Sequence, residues 1–222
     1  MLIESKLAPE KPFSRMNIMS TVSSIYLTNL SLRSIIINYL GQIFDHNTVG
    51  LAYIYCNYKE LREQTATNLV ASLLQQLVQQ QSNIPDGIVA LYREHTDKRT
   101  RPALTEYSSS LQSILHDFSK VFIVIDALDE CTENDGTRHK FLTEIKKLLP
   151  HIHLLITSRW VANIEREFEG STRLEILASD EDVAIYVKSR IEKEARLKRH
   201  VKEDPIMQDT IINTIVKNSR GM

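Results

Sequence analysis

The sequence predicts an α/β domain with a mostly parallel sheet flanked by helices, followed by a C-terminal helical extension. Residues 121–128 and 152–157 are short apolar runs rich in Val, Ile and Leu, as in strands that are buried on both faces. The amphipathic pattern of residues 137–149 places a helix between them. A strand–helix–strand unit of this kind joins parallel strands. After residue 178 the apolar residues recur only with helical spacing, which predicts the C-terminal helices.

Composition and charge exclude several classes of protein. The chain has 222 residues, of which 42% are hydrophobic and 25% charged, which excludes a disordered or collagen-like protein. Its net charge of -1 attracts neither nucleic acid nor an anionic membrane, and no apolar run is long enough to span a bilayer. Cys56 and Cys131 are expected to be free thiols, as in a reducing compartment. We therefore expect a cytoplasmic protein without nucleic-acid or membrane partners.

The first third of the chain carries weaker patterns. Residues 1–20 show no clear period and predict a poorly structured lead-in. Residues 22–27 (VSSIYL) predict a short strand, and residues 32–44 predict a helix. Residues 51–56 (LAYIYC), which follow Gly50, form an apolar, aromatic run of strand length.

A strong amphipathic helix is predicted to begin at Thr65. Its apolar residues recur every three or four positions as far as Val78. Its polar side carries five glutamines, which predict a solvent-exposed face: Gln75, Gln76, Gln79, Gln80 and Gln81. Shorter helices are predicted at residues 88–95 and 107–118, with a basic loop between them.

The last part of the chain is predicted to be mainly helical. Residues 161–168 predict a short helix and residues 173–177 a short strand. Ser179 is a candidate N-cap of the next helix. Pro205, which follows an aspartate, is typical of the first turn of another.

A cluster of acids follows the clearest strand. Residues 122–130 (FIVIDALDE) place Asp126 at the carboxyl end of the strand, the edge where ligands bind in open α/β sheets. Asp129 and Glu130 follow within four residues, and such crowding is costly unless a cation or a proton neutralises it. Hydrated Mg²⁺ bound to phosphates would do so.

An arginine follows the neighbouring strand. Arg159 comes 33 residues after Asp126, and one helical crossover makes the two strands parallel, so both residues are expected at the same edge. Two interpretations stay open. The arginine and the acids could form a nucleotide site, or the acids could cap the local turns while Arg159 pairs with one of them.

These segments resemble a known family. Residues 122–131 (FIVIDALDEC) resemble the Walker B segment of NACHT-type P-loop NTPases. They are most similar to the fungal, NLR-like signal-transduction ATPases (STAND class) whose NTPase domain resembles the N-terminal region of nephrocystin-3. Residues 154–159 (LLITSR) resemble the sensor 1 segment of that family, and residues 51–60 with the following helix resemble its second strand and helix. The resemblance covers about residues 32–222.

The resemblance implies a P-loop-NTPase-like sheet that binds ATP and Mg²⁺. Asp126 would bind Mg²⁺ through water, Asp129 or Glu130 would position the attacking water, and Arg159 would sense the γ-phosphate. The strand at residues 22–27 would be the central one. The implied partners are an upstream effector domain, downstream repeats of a larger signalling protein, and further copies of the chain. ATP and GTP are not distinguished.

The chain departs from the family at the phosphate loop. No G-x-x-x-x-G-K-[ST] motif occurs, no glycine precedes Gly41, and Asn29 and Leu30 stand where Lys and Ser/Thr belong. Loss of two or three charge-assisted hydrogen bonds, at roughly 1.5–3 kcal/mol each, removes about 5 kcal/mol of binding free energy. This corresponds to roughly 10³- to 10⁴-fold in affinity. We therefore expect weak ATP binding and negligible hydrolysis.

The predicted domain organisation has three parts. Residues 1–20 form the lead-in, residues 21–178 a NACHT-like α/β domain incomplete at its N-terminus, and residues 179–222 the start of a truncated helical domain. Either a fragment or misassembled gene model, or an authentic degenerate domain, would explain the missing loop. The alternative function is a nucleotide-independent interaction or oligomerisation module that keeps only the fold.

Overall fold

The computed structural model describes residues 2–4, 48–175 and 179–219. These residues fall into two compact units. An α/β unit contains residues 2–4 and 48–174, and a helical unit contains residues 175 and 179–219. The strand predicted at 22–27 and the helix predicted at 32–44 lie outside the described residues.

The α/β unit is built on a five-stranded sheet of order β2-β3-β4-β1-β5. The strands of the described residues are β1 (Leu2–Glu4), β2 (Val49–Tyr55), β3 (Lys120–Asp126), β4 (His153–Thr157) and β5 (Thr172–Leu174). Neighbouring strands β2, β3 and β4 are parallel. They agree with the strands predicted at 51–56, 121–128 and 152–157, so the predicted α/β class is confirmed.

Eight α-helices lie in the described ranges. Five belong to the α/β unit: α1 (Ala66–Gln79), α2 (Asp86–Lys98), α3 (Leu104–Ile114), α4 (Thr137–Leu148) and α5 (Ala162–Glu167). Three form the helical unit: α6 (Asp180–Lys193), α7 (Ala195–Glu203) and α8 (Pro205–Ser219). None of these helices combines the length and apolar character that a membrane span requires.

Strand β1 lies where the sequence analysis found no period. It pairs antiparallel with both β4 and β5. Leu2 is opposite Thr157 at the carboxyl end of β4, and Glu4 is opposite Leu155. The chain therefore leaves β1 in the direction away from the carboxyl edge of the parallel strands.

The core of the α/β unit forms around β3. Its five apolar residues from Val121 to Ile125 are each no more than 7% exposed, which confirms a strand buried on both faces. The apolar side of α1 (Leu69, Leu73 and Leu77) belongs to the same buried cluster as Ile123 and Ile125.

The helical unit has a small core of its own, formed by Val187, Ile191 and Val201. The predicted cap at Ser179 is confirmed, because its hydroxyl accepts a hydrogen bond of 3.1 Å from the Asp182 N–H. The predicted start at Pro205 is also confirmed by the bounds of α8. The break between α6 and α7 was not predicted.

Candidate functional site

The acidic segment sits on a tight turn at the carboxyl edge of the sheet. Strand β3 ends at Asp126, and a 3-10 turn spans Leu128–Glu130. Between them Ala127 has a φ of 53°, in the left-handed region, which is uncommon for a residue with a Cβ. Beyond this residue the turn keeps Asp129 and Glu130 within hydrogen-bonding distance of residues that follow the neighbouring strands.

Asp126 is tied to the neighbouring strand by Thr157. The Thr157 hydroxyl donates a hydrogen bond of 2.7 Å to Asp126 Oδ1 and accepts one of 2.9 Å from the Ala127 N–H. Because the hydroxyl has one proton, it donates to Asp126 and accepts from Ala127. Thr157 was missed as a site residue, although it lies inside the LLITSR segment, two residues before Arg159.

Arg159 and Asp129 form an ion pair at the same edge. Asp129 Oδ1 accepts a bond of 2.9 Å from the Arg159 backbone N–H, and Asp129 Oδ2 accepts one of 2.6 Å from Arg159 Nε. The Asp129 side chain is 6% exposed and that of Arg159 is 80% exposed. The expected placement of Arg159 and Asp126 at one edge is confirmed, and so is the pairing of Arg159 with one of the acids.

This pair sets the ionisation of both partners. Burial alone would raise the pKa of Asp129, but the backbone and guanidinium hydrogen bonds from Arg159 outweigh it and lower the pKa below its usual value. The same hydrogen bond raises the pKa of Arg159. Asp129 is therefore a carboxylate that is already matched by a positive charge.

Glu130 has a looser contact. Its Oε2 accepts a bond of 3.4 Å from the backbone N–H of Tyr58, in the 3-10 turn Tyr58–Glu60 that follows β2. Glu130 is thus the acid of the cluster that bridges the ends of β2 and β3.

Two buried thiols are close to the acids in sequence: Cys56 directly follows β2, and Cys131 directly follows Glu130. Cys56 and Cys131 are both free, as predicted, and are 3% and 2% exposed. Their thiols hydrogen-bond each other, which together with burial raises the pKa of Cys56; the same bond lowers the pKa of Cys131. The Cys56 N–H donates to the backbone carbonyl of Asp126 at 3.0 Å. This bond ties the residue that follows β2 to the last residue of β3.

The donor set at this edge suits a loosely held cation better than a closed metal cage. In the part of the chain that the structure describes, no three His, Cys, Asp or Glu side chains come together to hold a metal ion. Mg²⁺ needs no such cage, because it is usually bound by one or two carboxylates, several waters and the phosphates of its ligand. Asp126 fits that role.

The phosphate side of the site fits less well. In P-loop proteins the phosphate loop follows a strand at the carboxyl edge and opens a helix there. Strand β1, which is the strand next to β4, runs the opposite way, and its last residue, Glu4, is opposite Leu155 rather than Thr157. The described residues thus provide a carboxylate and a guanidinium at this edge, while the chain leaves β1 in the direction away from it.

Comparison with known proteins gives one family. The model of the family described as "Nephrocystin 3, N-terminal" matches residues 31–159. This range is 129 of the 222 residues (159 - 31 + 1), more than half of the chain. It contains β2 to β4 and Asp126, Asp129, Glu130 and Arg159. No curated protein matches the chain.

Proposed function

This chain belongs to the nephrocystin 3 N-terminal family, and we propose on that premise that it is a NACHT-like switch module of a larger signalling ATPase of the fungal NLR-like kind. We propose further that it binds Mg-ATP weakly and hydrolyses it negligibly. The observation that carries the proposal is that Asp126 and Arg159 lie at one edge of the sheet, fixed by Thr157 and Asp129 respectively.

Each residue at this edge has a role that its contacts suit. Asp126, oriented by Thr157, would hold Mg²⁺ through water; when bound, the ion neutralises charge on the phosphates. The Arg159 backbone N–H and Nε both donate to Asp129. The two terminal nitrogens of Arg159 would bind a phosphoryl oxygen.

The two remaining acids differ in availability. Asp129 accepts two short bonds from Arg159, so moving it to a water would break the pair. Glu130 accepts one long bond, of 3.4 Å. We therefore assign the positioning of an attacking water to Glu130 and the positioning of Arg159 to Asp129.

We expect weak binding because the sequence contains no G-x-x-x-x-G-K-[ST] motif. A carboxylate and an arginine hold the cation and one phosphate, but the backbone N–H groups and the lysine of a phosphate loop supply much of the affinity. We expect a dissociation constant for Mg-ATP in the millimolar range, as the roughly 10³- to 10⁴-fold loss estimated for the missing bonds implies.

A second candidate function is a nucleotide-independent interaction or oligomerisation module. The direction of β1 favours it, because the chain leaves this strand away from Asp126. The ion pair between Asp129 and Arg159 also favours it, because it satisfies both charges without a ligand.

Titration with Mg-ATP to millimolar concentration, followed by NMR, separates the two candidates. We expect shifts of the Asp126 and Arg159 amides that saturate in the millimolar range. In Arg159→Ala, the shift of the Asp126 amide on addition of Mg-ATP should be lost. Arg93→Ala, an exposed arginine on α2, is the matched control and should bind like the unaltered chain. Absence of saturable shifts in the unaltered chain would support the second candidate. Equal responses of both variants would contradict the role of Arg159, and low-micromolar binding would contradict weak binding.

The proposed setting is the cytoplasm, within a protein that has an effector domain upstream and repeats downstream. In that setting nucleotide exchange would control assembly with further copies of the chain, by shifting a population between conformations. A longer gene product that encodes G-x-x-x-x-G-K-[ST] just before residue 32 would support the nucleotide-dependent form of this proposal.

A further inference from the structure

Strand β2 lies at one edge of the described sheet. β2 is the first strand of the sheet order and pairs only with β3 among the described strands. Successive residues of a strand direct their backbone groups to opposite sides, and the Cys56 N–H bonds toward β3. The backbone groups of Leu51, Tyr53 and Tyr55 therefore face away from β3, on the side where a sheet would add a further strand.

Three glutamine side chains occupy this edge instead. Gln80 accepts from the Leu51 N–H at 2.9 Å and donates to the Leu51 carbonyl at 2.6 Å. Gln76 makes the same pair of bonds with Tyr53, at 2.9 Å and 2.8 Å.

Gln64 completes the row. It donates to the Tyr55 carbonyl and accepts from the Asn57 N–H, both at 3.0 Å. Each primary amide thus supplies one donor and one acceptor, as the peptide group of a neighbouring strand would. We call Gln64, Gln76 and Gln80 the glutamine ladder.

The geometry of α1 explains the match. Gln76 and Gln80 are one helical turn apart, about 5.4–6 Å, and Leu51 and Tyr53 are two strand residues apart, about 6.6 Å. Buried Leu73 and Leu77 anchor the helix against the sheet. Gly50 allows a close approach, because a Cβ there would lie 2.9 Å from Leu77 Cδ2.

The strand that the ladder covers is prone to self-association. Its sequence, VGLAYIY, has no charge and no proline and is rich in aromatic and aliphatic residues, which is the pattern of segments that stack into intermolecular sheets. The usual protections of an edge strand, an inward charge, a lysine or a proline, are missing from it.

We propose that the glutamine ladder acts as a substitute strand that keeps β2 from pairing with β2 of a second copy of this chain. A second copy is the partner because an antiparallel pair of identical edges is self-complementary about a two-fold axis.

The prediction of a solvated glutamine face is confirmed for Gln75 and Gln79, which are exposed, and wrong for Gln76 and Gln80. This inference is independent of nucleotide binding.

The test compares two double variants of the full chain. Gln76→Ala with Gln80→Ala removes two rungs of the ladder. Gln75→Ala with Gln79→Ala changes the same residue types on the same helix and leaves the ladder intact. In sedimentation velocity, we expect the first variant to associate as its concentration rises, while the control stays like the unaltered chain. Sedimentation of the ladder variant like the control would overturn the proposal.

Two further measurements test whether the effect arises at the edge of β2 itself. Adding Tyr55→Lys to the ladder variant places a charge on the edge and should restore the unassociated form; association that persists would show that β2 is not the contact. In Gln80→Ala alone, at low concentration, the Leu51 amide should exchange about tenfold faster, as expected for one lost hydrogen bond. The Tyr53 amide should keep its protection, and unchanged Leu51 exchange would also overturn the proposal.

Discussion

The Thr157 hydroxyl lies 2.7 Å from Asp126 Oδ1 and joins the carboxyl ends of β4 and β3. The same oxygen accepts the N–H of Ala127, whose φ is 53°. One side chain therefore holds both the carboxylate of Asp126 and the left-handed turn that follows it.

Thr157→Val should lower the free energy of unfolding by about 1–3 kcal/mol, since it keeps the shape of the side chain but leaves the Ala127 N–H without its acceptor. Thr157→Ser keeps the hydroxyl and should recover most of the loss. Urea unfolding of the three proteins measures the difference. Equal losses in both variants would show that the methyl group, rather than the hydrogen bonds, stabilises this edge.

The Asp129–Arg159 pair should make the fold sensitive to acid. The pKa of Asp129 in the folded chain is below its usual value, because the hydrogen bonds from Arg159 outweigh the effect of burial. The unfolded chain therefore takes up the proton first as the pH falls below about 5. The contribution of Asp129 to the free energy of unfolding is complete above the ordinary pKa of an aspartate. It is lost as the pH falls through the lower pKa of Asp129 in the folded chain.

Asp129→Asn removes this titration. We expect its free energy of unfolding to fall less steeply than that of the unaltered chain between pH 5 and the acid limit of folding, measured by urea unfolding at several pH values. Parallel curves for the two proteins would contradict the prediction.

His153 should add a second pH dependence at higher pH. Its ring stacks on that of Phe122, with centroids 4.8 Å apart. Burial lowers the pKa of His153, and the charge of Lys120 lowers it further. In the unfolded chain the ring of His153 takes up its proton at about pH 6.5. Its contribution to the free energy of unfolding is therefore lost as the pH falls from there toward the lower pKa of the folded chain.

His153→Phe keeps an aromatic ring against Phe122 and has no titrating group. Its free energy of unfolding should change less between pH 7 and pH 5 than that of the unaltered chain. Denaturant unfolding across this range tests the expectation, which fails if the variant retains the full slope.

Gly50 should be intolerant of a side chain. A Cβ at this position would lie 2.9 Å from Leu77 Cδ2 and 3.2 Å from both Phe118 Cγ and Val121 Cγ2. Gly50→Ala therefore overpacks the contact between α1 and β2, and we expect a loss of about 1–3 kcal/mol. Thermal unfolding should show a lower melting temperature.

Gly87 in α2 provides the matched control. Nothing lies within 4 Å of a Cβ built there, and alanine is favoured over glycine inside a helix by about 1 kcal/mol. Gly87→Ala should thus be neutral or stabilising. A loss equal to that of Gly50→Ala would attribute both effects to something other than crowding.

The sequence was most informative where local pattern and burial coincide. The apolar run from Val121 to Ile125 can be buried on both faces only inside a parallel sheet, and this places Asp126 at the carboxyl edge. The shared edge of Asp126 and Arg159 then follows from one helical crossover. The structure agrees with both inferences.

Local sequence patterns could not predict the contacts between residues that are far apart in the chain. Strand β1 has three residues and no period, and its pairing with β4 joins positions about 150 residues apart. Gln76 and Gln80 have the spacing of a solvated helix face, and nothing local shows that backbone groups 23 and 29 residues away bind them. The role of Thr157 likewise depends on a partner 31 residues distant.

The direction of β1 has a practical consequence for labelling. Since Leu2 pairs with Thr157, a fluorophore or affinity tag attached ahead of Leu2 begins at the same rim as Asp126 and Arg159. A dye at that position would act as a proximity reporter for any ligand that reaches the acids, and a bulky tag there would obstruct such a ligand. Purification handles are better placed elsewhere.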